Sequence, residues 1–275
     1  MQRRTFLKAG AVALAACQTK AGKVVATSTA IRVASVPTAV EGRLLPSLLE
    51  TCGKQTTLEA RPDVYDAARA GKVDLVISHY GHHDCEQFIL DGLGEWPRTV
   101  FANQMALIGP PGDPAGVRGV ADAAEALAKI AAAKKPFVLN DIDGVRYLSE
   151  VLWHAAGAPA RDGWWLDDKH RKEDAMEYAA RIGGYSLWGL TPFLRTHDNR
   201  KLALEPLVVA DPLLQRLLVA VVVKGGNVEG ARAVQQHLLA PATQAQIRAT
   251  RYPTDTTVMW MPAGRHNRTA VLPLT

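Results

Sequence analysis

Asp74-Leu75-Val76-Ile77-Ser78-His79-Tyr80-Gly81-His82-His83-Asp84-Cys85 is the stretch whose reading decides the fold. The apolar residues Leu75, Val76 and Ile77 between Asp74 and Ser78 read as a short buried strand, and the Gly81 turn leads into a polar-then-apolar run with helical character. In an open α/β sheet ligands bind beyond the carboxyl ends of the strands. A strand that delivers Ser78, His79, His82 and His83 into one turn therefore points at a site.

Working outward, Ile31 to Val36 alternates like a first strand, and leucines at 44, 45, 48 and 49 have the spacing of a helix lying on a sheet. Thr56 to Ala60 reads as a second strand and Val64 to Ala70 as a short helix. Strand and helix thus alternate, which predicts parallel pairing and an α/β doubly wound sheet. Val100 to Ile108 is a longer apolar strand ending at Gly109-Pro110-Pro111-Gly112-Asp113-Pro114, a breaker cluster that marks the crossing into a second lobe. Asp122 caps an alanine-rich helix, Pro136 to Leu139 is a strand, and Asn140 to Gly144 is a turn before a helix from Arg146. Leu217 to Val223 is an apolar strand able to carry the chain back, and the tail from Tyr252 shows no regular period. The resulting division is 1–17 signal, 18–29 tether, 30–107 the first part of lobe 1, 108–206 lobe 2, and 207–275 the return to lobe 1 with the tail.

With 275 residues, 48% of them hydrophobic, the chain can bury a sizeable core. The formal charge of +5 is small and its basic residues are scattered, which excludes a nucleic-acid footprint. Arg3-Arg4-Thr5-Phe6-Leu7-Lys8 followed by the short apolar run Ala9 to Ala16 resembles a twin-arginine export signal, and Leu14-Ala15-Ala16-Cys17 resembles a lipobox. These predict export to the periplasm or cell surface and membrane anchoring through a lipid on Cys17, since two acyl chains make a stable anchor. No stretch approaches the ~20 apolar residues of a membrane span. Cys52 and Cys85 would then lie in an oxidising compartment, as a disulfide or as two thiols.

The segments Leu44 to Glu50, Asp74 to His79, Ile108 to Gly116, Pro136-Phe137-Val138, Leu152 to Gly157 and Gly184 to Leu187 together resemble the tungstate-type substrate-binding proteins of ABC transporters. The resemblance spans roughly residues 30–250. It implies a two-lobed type II periplasmic-binding-protein fold that closes on a small ligand and presents it to an ABC permease, as a monomer with no cofactor and no enzymatic activity. It also implies three hydroxyl-rich or glycine-rich ligand loops and one arginine, the equipment that holds a desolvated oxyanion. In this chain those loops read Val33-Ala34-Ser35-Val36-Pro37-Thr38, Ala60-Arg61-Pro62 and Leu139-Asn140-Asp141-Ile142-Asp143-Gly144-Val145, with the arginine position taken by Asn140.

The ligand-binding candidates are accordingly Ser35 and Thr38 at the first helix, Ser78 and His79 at the third strand, Arg61 and Arg146 as replacements for the lost cation, and Asn140 and Gly144 in the rewritten turn. Each has a plainer alternative: a cap for Ser35 and Thr38, a solvated surface role for Arg61. An arginine at a helix start, as at Arg146, opposes the dipole unless an anion is near. A second reading assigns His79, His83 and Cys85 to a zinc or copper site, because imidazoles and a thiolate suit those ions. Enzyme readings lack support: there is no Gly-x-Ser-x-Gly elbow, no phosphate-binding Gly-x-x-x-x-Gly-Lys run and no His-Glu-x-x-His.

Overall fold

The computed structural model describes residues 30–253 and 257–264; the export signal, the lipobox Cys17 and the tether lie outside them. The elements run β1 (Ile31–Ser35), α1 (Pro37–Glu41), α2 (Leu44–Glu50), β2 (Thr56–Ala60), α3 (Val64–Arg69), β3 (Leu75–His79), α4 (His83–Leu90) and β4 (Arg98–Gly109). Then follow α5 (Ala123–Ala132), β5 (Phe137–Val138), α6 (Asp143–Ala155), β6 (Trp165–Leu166), α7 (Glu173–Ile182), β7 (Tyr185–Gly189), α8 (Leu190–Arg200) and β8 (Glu205–Val208). A 3₁₀ turn at Pro212–Leu214 leads into β9 (Gln215–Val222), α9 (Val228–Leu239), α10 (Pro241–Ala249) and β10 (Trp260–Pro262).

The strands order as β2-β1-β3-β9-β4-β7-β5-β6, with β8 and β10 also on β4. Pairing is parallel where the sequence alternates strand and helix: β1 with β2 and β3, β5 with β6 and β7. It is antiparallel around the crossing strands, since β9 lies antiparallel to both β3 and β4. The parallel pairing expected of the alternating strands and helices holds for these, while a chain that leaves one lobe and returns to it inserts reversed strands into the sheet. The tail read as irregular supplies β10, which pairs antiparallel with β4 through Trp260 and Asn103.

The twelve-residue β4 belongs to both lobes. Its first part pairs with β9 as far as Gln104 and Gln215, and from Met105 onward it pairs with β7. Period-two alternation fills both faces of the first sheet. Leu75 and Ile77 enter one core with α2, α9 and α10, while Val76 enters another with Tyr65 of α3 and Phe88 of α4. The second lobe is a single core built from β4 beyond Gln104, β5 to β8 and helices α5 to α8. Asp74 pins the start of β3: its carboxylate accepts from Arg32 Nε at 3.0 Å, Arg32 Nη2 at 2.6 Å and the backbone N–H groups of Arg32 and Asn227.

Candidate functional site

A cleft of about 540 Å³ opens where the two sets of elements meet. One wall carries Pro37, Thr38 and Glu41 of α1 and His79 at the end of β3; the floor is Asn103 and Met105 of β4 and Arg216 of β9. The facing wall carries Ile142, Gly144 and Val145 where α6 begins, Lys172 and Glu173 where α7 begins, and Trp188, Gly189, Pro192 and Arg195 where β7 passes into α8. Three helices of ten or more residues thus start at this wall, and helix starts carry partial positive charge and free N–H groups. Arg195 and Glu41 bridge the mouth in an exposed ion pair of 2.6 Å.

Arg216 is the feature that the sequence reading missed. It precedes the apolar run of β9, opposite Asn103 in the antiparallel register. Its guanidinium lies against Met105, with Nη1 at 3.6 Å from Sδ, and against Gly144, where an added Cβ would sit 3.0 Å from both Nη1 and Nη2. No carboxylate pairs with it among the described residues, and burial alone pulls its pKa down. A guanidinium taken from water and left without a counter-charge is costly. The arrangement therefore favours an anion. The only sequence signal was one charged residue at the head of a wholly apolar strand.

His79 shares this environment. Burial, reinforced by the charge of Arg216, pushes its pKa down to about 4, so the imidazole is neutral near pH 7. The Thr38 hydroxyl is also on the cleft wall. Ser35 and Ser78 are fully buried with their hydroxyls engaged: Ser35 donates to the Val36 carbonyl at 3.1 Å, and Ser78 meets Tyr65 Oη at 2.8 Å. Asn140 is buried beneath the wall and accepts the Lys172 N–H at 2.8 Å, which holds Lys172 at φ +51° as α7 begins. Of the eight candidates, the structure brings Thr38, His79 and Gly144 to the cleft.

Arg61 and Arg146 lie outside its lining and are neutralised. Arg61 pairs with Asp63 at 2.8 Å and Glu59 at 3.2 Å, and Arg146 pairs with Asp141 at 2.8 Å and Asp167 at 2.6 Å. The helix that the sequence places from Arg146 begins at Asp143, so Arg146 falls in its first turn and swings to these acids. The metal reading meets a similar dispersal. His79 faces the cleft, His83 is exposed, and Cys85 is buried beside Tyr65. The ligand atoms that do approach one another, within 4.8 Å, belong to His82, His83 and Asp84. Their helix start carries positive dipole, and Nδ1 of His82 accepts the Asp84 N–H at 3.3 Å as an N-cap. Cys52 and Cys85 are free thiols.

Comparison with known proteins agrees with this architecture. No protein-family model matches the chain. A putative ABC transporter anion-binding protein of Haloferax volcanii is 32% identical over 141 residues, which is 51% of this chain and 41% of that relative, so the match spans less than half of its length. The tungstate-binding protein TupA of Peptoclostridium acidaminophilum is 25% identical over 256 residues, 86% of this chain and 88% of the relative. The solved structure of the tungstate-binding protein TupA from Desulfovibrio alaskensis superposes with a TM-score of 0.74 at 22% identity, covering 86% of this chain and 99% of that one. The chain is thus similar in sequence to a putative ABC transporter anion-binding protein and to a tungstate-binding protein, and it shares the two-lobed α/β fold of the Desulfovibrio alaskensis structure.

Proposed function

We propose that the chain is an extracytoplasmic solute-binding protein that captures a small anion in this cleft and presents it to an ABC permease, performing no chemistry itself. The ligand is a small anion whose oxygens accept these hydrogen bonds, the class that includes oxyanions of the tungstate and molybdate type. One observation carries the reading: the Arg216 guanidinium, desolvated and without a carboxylate partner among the described residues, stands beside the start of α6. An anion there would meet a fixed positive charge, helix-terminal N–H groups and the Thr38 hydroxyl. The relatives, a tungstate-binding protein and an ABC anion-binding protein, support the solute class and the permease partner. The twin-arginine and lipobox patterns support delivery across the membrane and anchoring through Cys17, with the described residues working as a monomer on the outer face. Binding energy spent in the cleft favours the closed arrangement of the lobes, the form a permease would read.

Titration calorimetry with tungstate, molybdate, sulfate, phosphate and a panel of carboxylates tests this. Saturable binding of an anion is expected, lost in Arg216→Met without loss of thermal stability, since the variant removes an uncompensated buried charge. Absence of heat across the whole panel would overturn the proposal.

A further inference from the structure

Resting on the anion-binding reading, we infer that the ligand is an organic carboxylate with an apolar body, its carboxylate on Arg216 and its body against Trp188, rather than a bare tetrahedral oxyanion.

A small tetrahedral dianion is held by being surrounded with donors, and beyond the N–H groups of the helix starts this cleft has few side-chain donors left to give. The Ser35 and Ser78 hydroxyls are turned into the fold onto Val36 and Tyr65. Asn140 is buried beneath the wall and outside the lining, with its Oδ1 accepting the Lys172 N–H and its Nδ2 without a hydrogen-bond partner among the described residues. Arg61 and Arg146 are each held by two carboxylates away from the cleft lining. What remains among the described lining side chains is one unpaired guanidinium, the Thr38 hydroxyl, the Asn103 amide, a neutral imidazole and the exposed Lys172, while Arg195 is paired with Glu41. The carboxylates Glu41 and Glu173 share the lining, and each would repel a dianion more than a monoanion.

Much of the remaining surface is carbon and sulfur. Trp188, Met105, Ile142, Val145, Pro37 and Pro192 make up an apolar share of the wall that no inorganic anion can use. The cleft's 540 Å³ falls within the roughly 300–1,000 Å³ of sites that take organic molecules, far more room than five heavy atoms need. Both Nη atoms of Arg216 lie toward Gly144, and a guanidinium is a planar group whose paired N–H donors suit a planar carboxylate better than a tetrahedral ion. One fixed cation, a flat polar end and an apolar wall together describe an amphiphilic monoanion.

The probes are sodium phenylacetate and 3-phenylpropionate, with phenylacetamide as the uncharged control and tungstate and sulfate as the inorganic comparison. Binding is read by calorimetry and by saturation-transfer NMR on the unmodified protein. Expected are saturable binding of an aromatic carboxylate at least tenfold tighter than tungstate and no binding of the amide. Affinity should fall at least 30-fold in Arg216→Met and about tenfold in Trp188→Leu, with saturation transfer strongest on the ring protons. Because Trp188 is buried and its replacement can disturb folding, the NMR measurement on the native chain decides alone if that variant is unstable. Tungstate or sulfate binding through Arg216 as tightly as the carboxylates would overturn the organic ligand and leave the anion reading standing. Failure of every anion to bind through Arg216 would overturn both.

Discussion

Gly144→Ala separates the part that Gly144 plays in the fold from the part it plays in the cleft. Gly144 sits in the first turn of α6 without a positive φ, so alanine suits the backbone there. In a helix interior the exchange gains about 0.5–1 kcal/mol, and in the first turn less. For a chain of this size that is a rise in Tm between zero and about 3 °C. The new methyl, however, would stand 3.0 Å from both Nη atoms of Arg216, closer than ordinary contact permits. The guanidinium is the flexible end of a long side chain whose hydrogen-bond partner is the weak acceptor Met105 Sδ, so it is the group that moves, by a few tenths of an ångström. A charge-assisted hydrogen bond is worth about 1.5–3 kcal/mol, and displacing its donor by that amount forfeits part of it. An anion held by Arg216 should therefore lose about 1–2 kcal/mol, roughly 5- to 30-fold in Kd. Calorimetry with whichever anion binds the native chain best, beside a thermal melt, reads both quantities. Gly112→Ala serves as control, because a Cβ there meets nothing within 4 Å. Unchanged affinity in Gly144→Ala would refute the placement of the anion at Arg216, and a Tm lowered by more than about 5 °C would refute the claim that the guanidinium yields freely.

Three further outcomes are expected. Asp74→Asn should cost about 2–4 kcal/mol in a urea melt, because it weakens the acceptor for two Arg32 donors and two backbone N–H groups in a buried position, discounted for the partial exposure of Arg32. Burial alone would raise the pKa of Asp74, but hydrogen bonds from Arg32 and Asn227 outweigh it and hold it below the ordinary range, so its contribution is full above about pH 4 and is lost as pH falls through the lowered folded value; a native-like acid limb in the Asn variant would contradict this. His79 has a folded pKa of about 4 against ~6.5 unfolded, so it destabilises the ligand-free fold as pH falls through that window. A bound anion raises that pKa, couples binding to proton uptake between pH 4 and 6.5, and should tighten binding toward acid pH; His79→Gln should flatten the profile in calorimetry across buffers of different ionisation enthalpy. Arg61→Ala and Arg146→Ala, each removing a cation already neutralised by two acids, should leave anion affinity within about twofold and cost at most about 1 kcal/mol of stability for the partly buried Arg146; a loss of binding in either would return the site to the loops.

The fold was largely legible because its signals are local. Period-two alternation marks β1, a short apolar run marks β3, the Pro/Gly cluster marks the end of β4, and Asp122 caps α5 by accepting from the N–H groups of Ala124 and Glu125 at 2.8 and 3.0 Å. Where the reading failed, the cause lies between residues distant in sequence. Arg61 and Arg146 looked available because a sequence shows a cation and not whether an acid folds onto it; Asp167 is 21 residues from Arg146. Arg216 was hidden for the opposite reason. Its position over Gly144 depends on the register of β9 against β4, which pairs Arg216 with Asn103, and on a chain crossing that local spacing does not reveal. Ser35 and Ser78 are half-legible: their place at strand ends was foreseen, but the turn of each hydroxyl into the fold was decided by Val36 and Tyr65.

The position of Arg216 also bears on how capture and closure would be coupled. It stands on β9, one of the strands that joins the lobes, while the Gly144 it touches begins a helix of the facing wall. Guanidinium and helix start have the same sign. A full charge and half a charge about 4 Å apart at an effective dielectric near 20 repel by about 2 kcal/mol, so pressing the walls together without an anion is opposed. A monoanion lodged between them reverses the sign of both interactions at once, since each positive group then faces a negative one at shorter range. The exposed Arg195–Glu41 pair across the mouth is too solvated to drive this, being worth at most about 1 kcal/mol. Arg216→Met removes the repulsion together with the attraction. The variant should therefore close more readily by itself while no longer responding to anion, a pairing of effects that small-angle scattering can read. A native-like, anion-dependent compaction in Arg216→Met would refute the coupling.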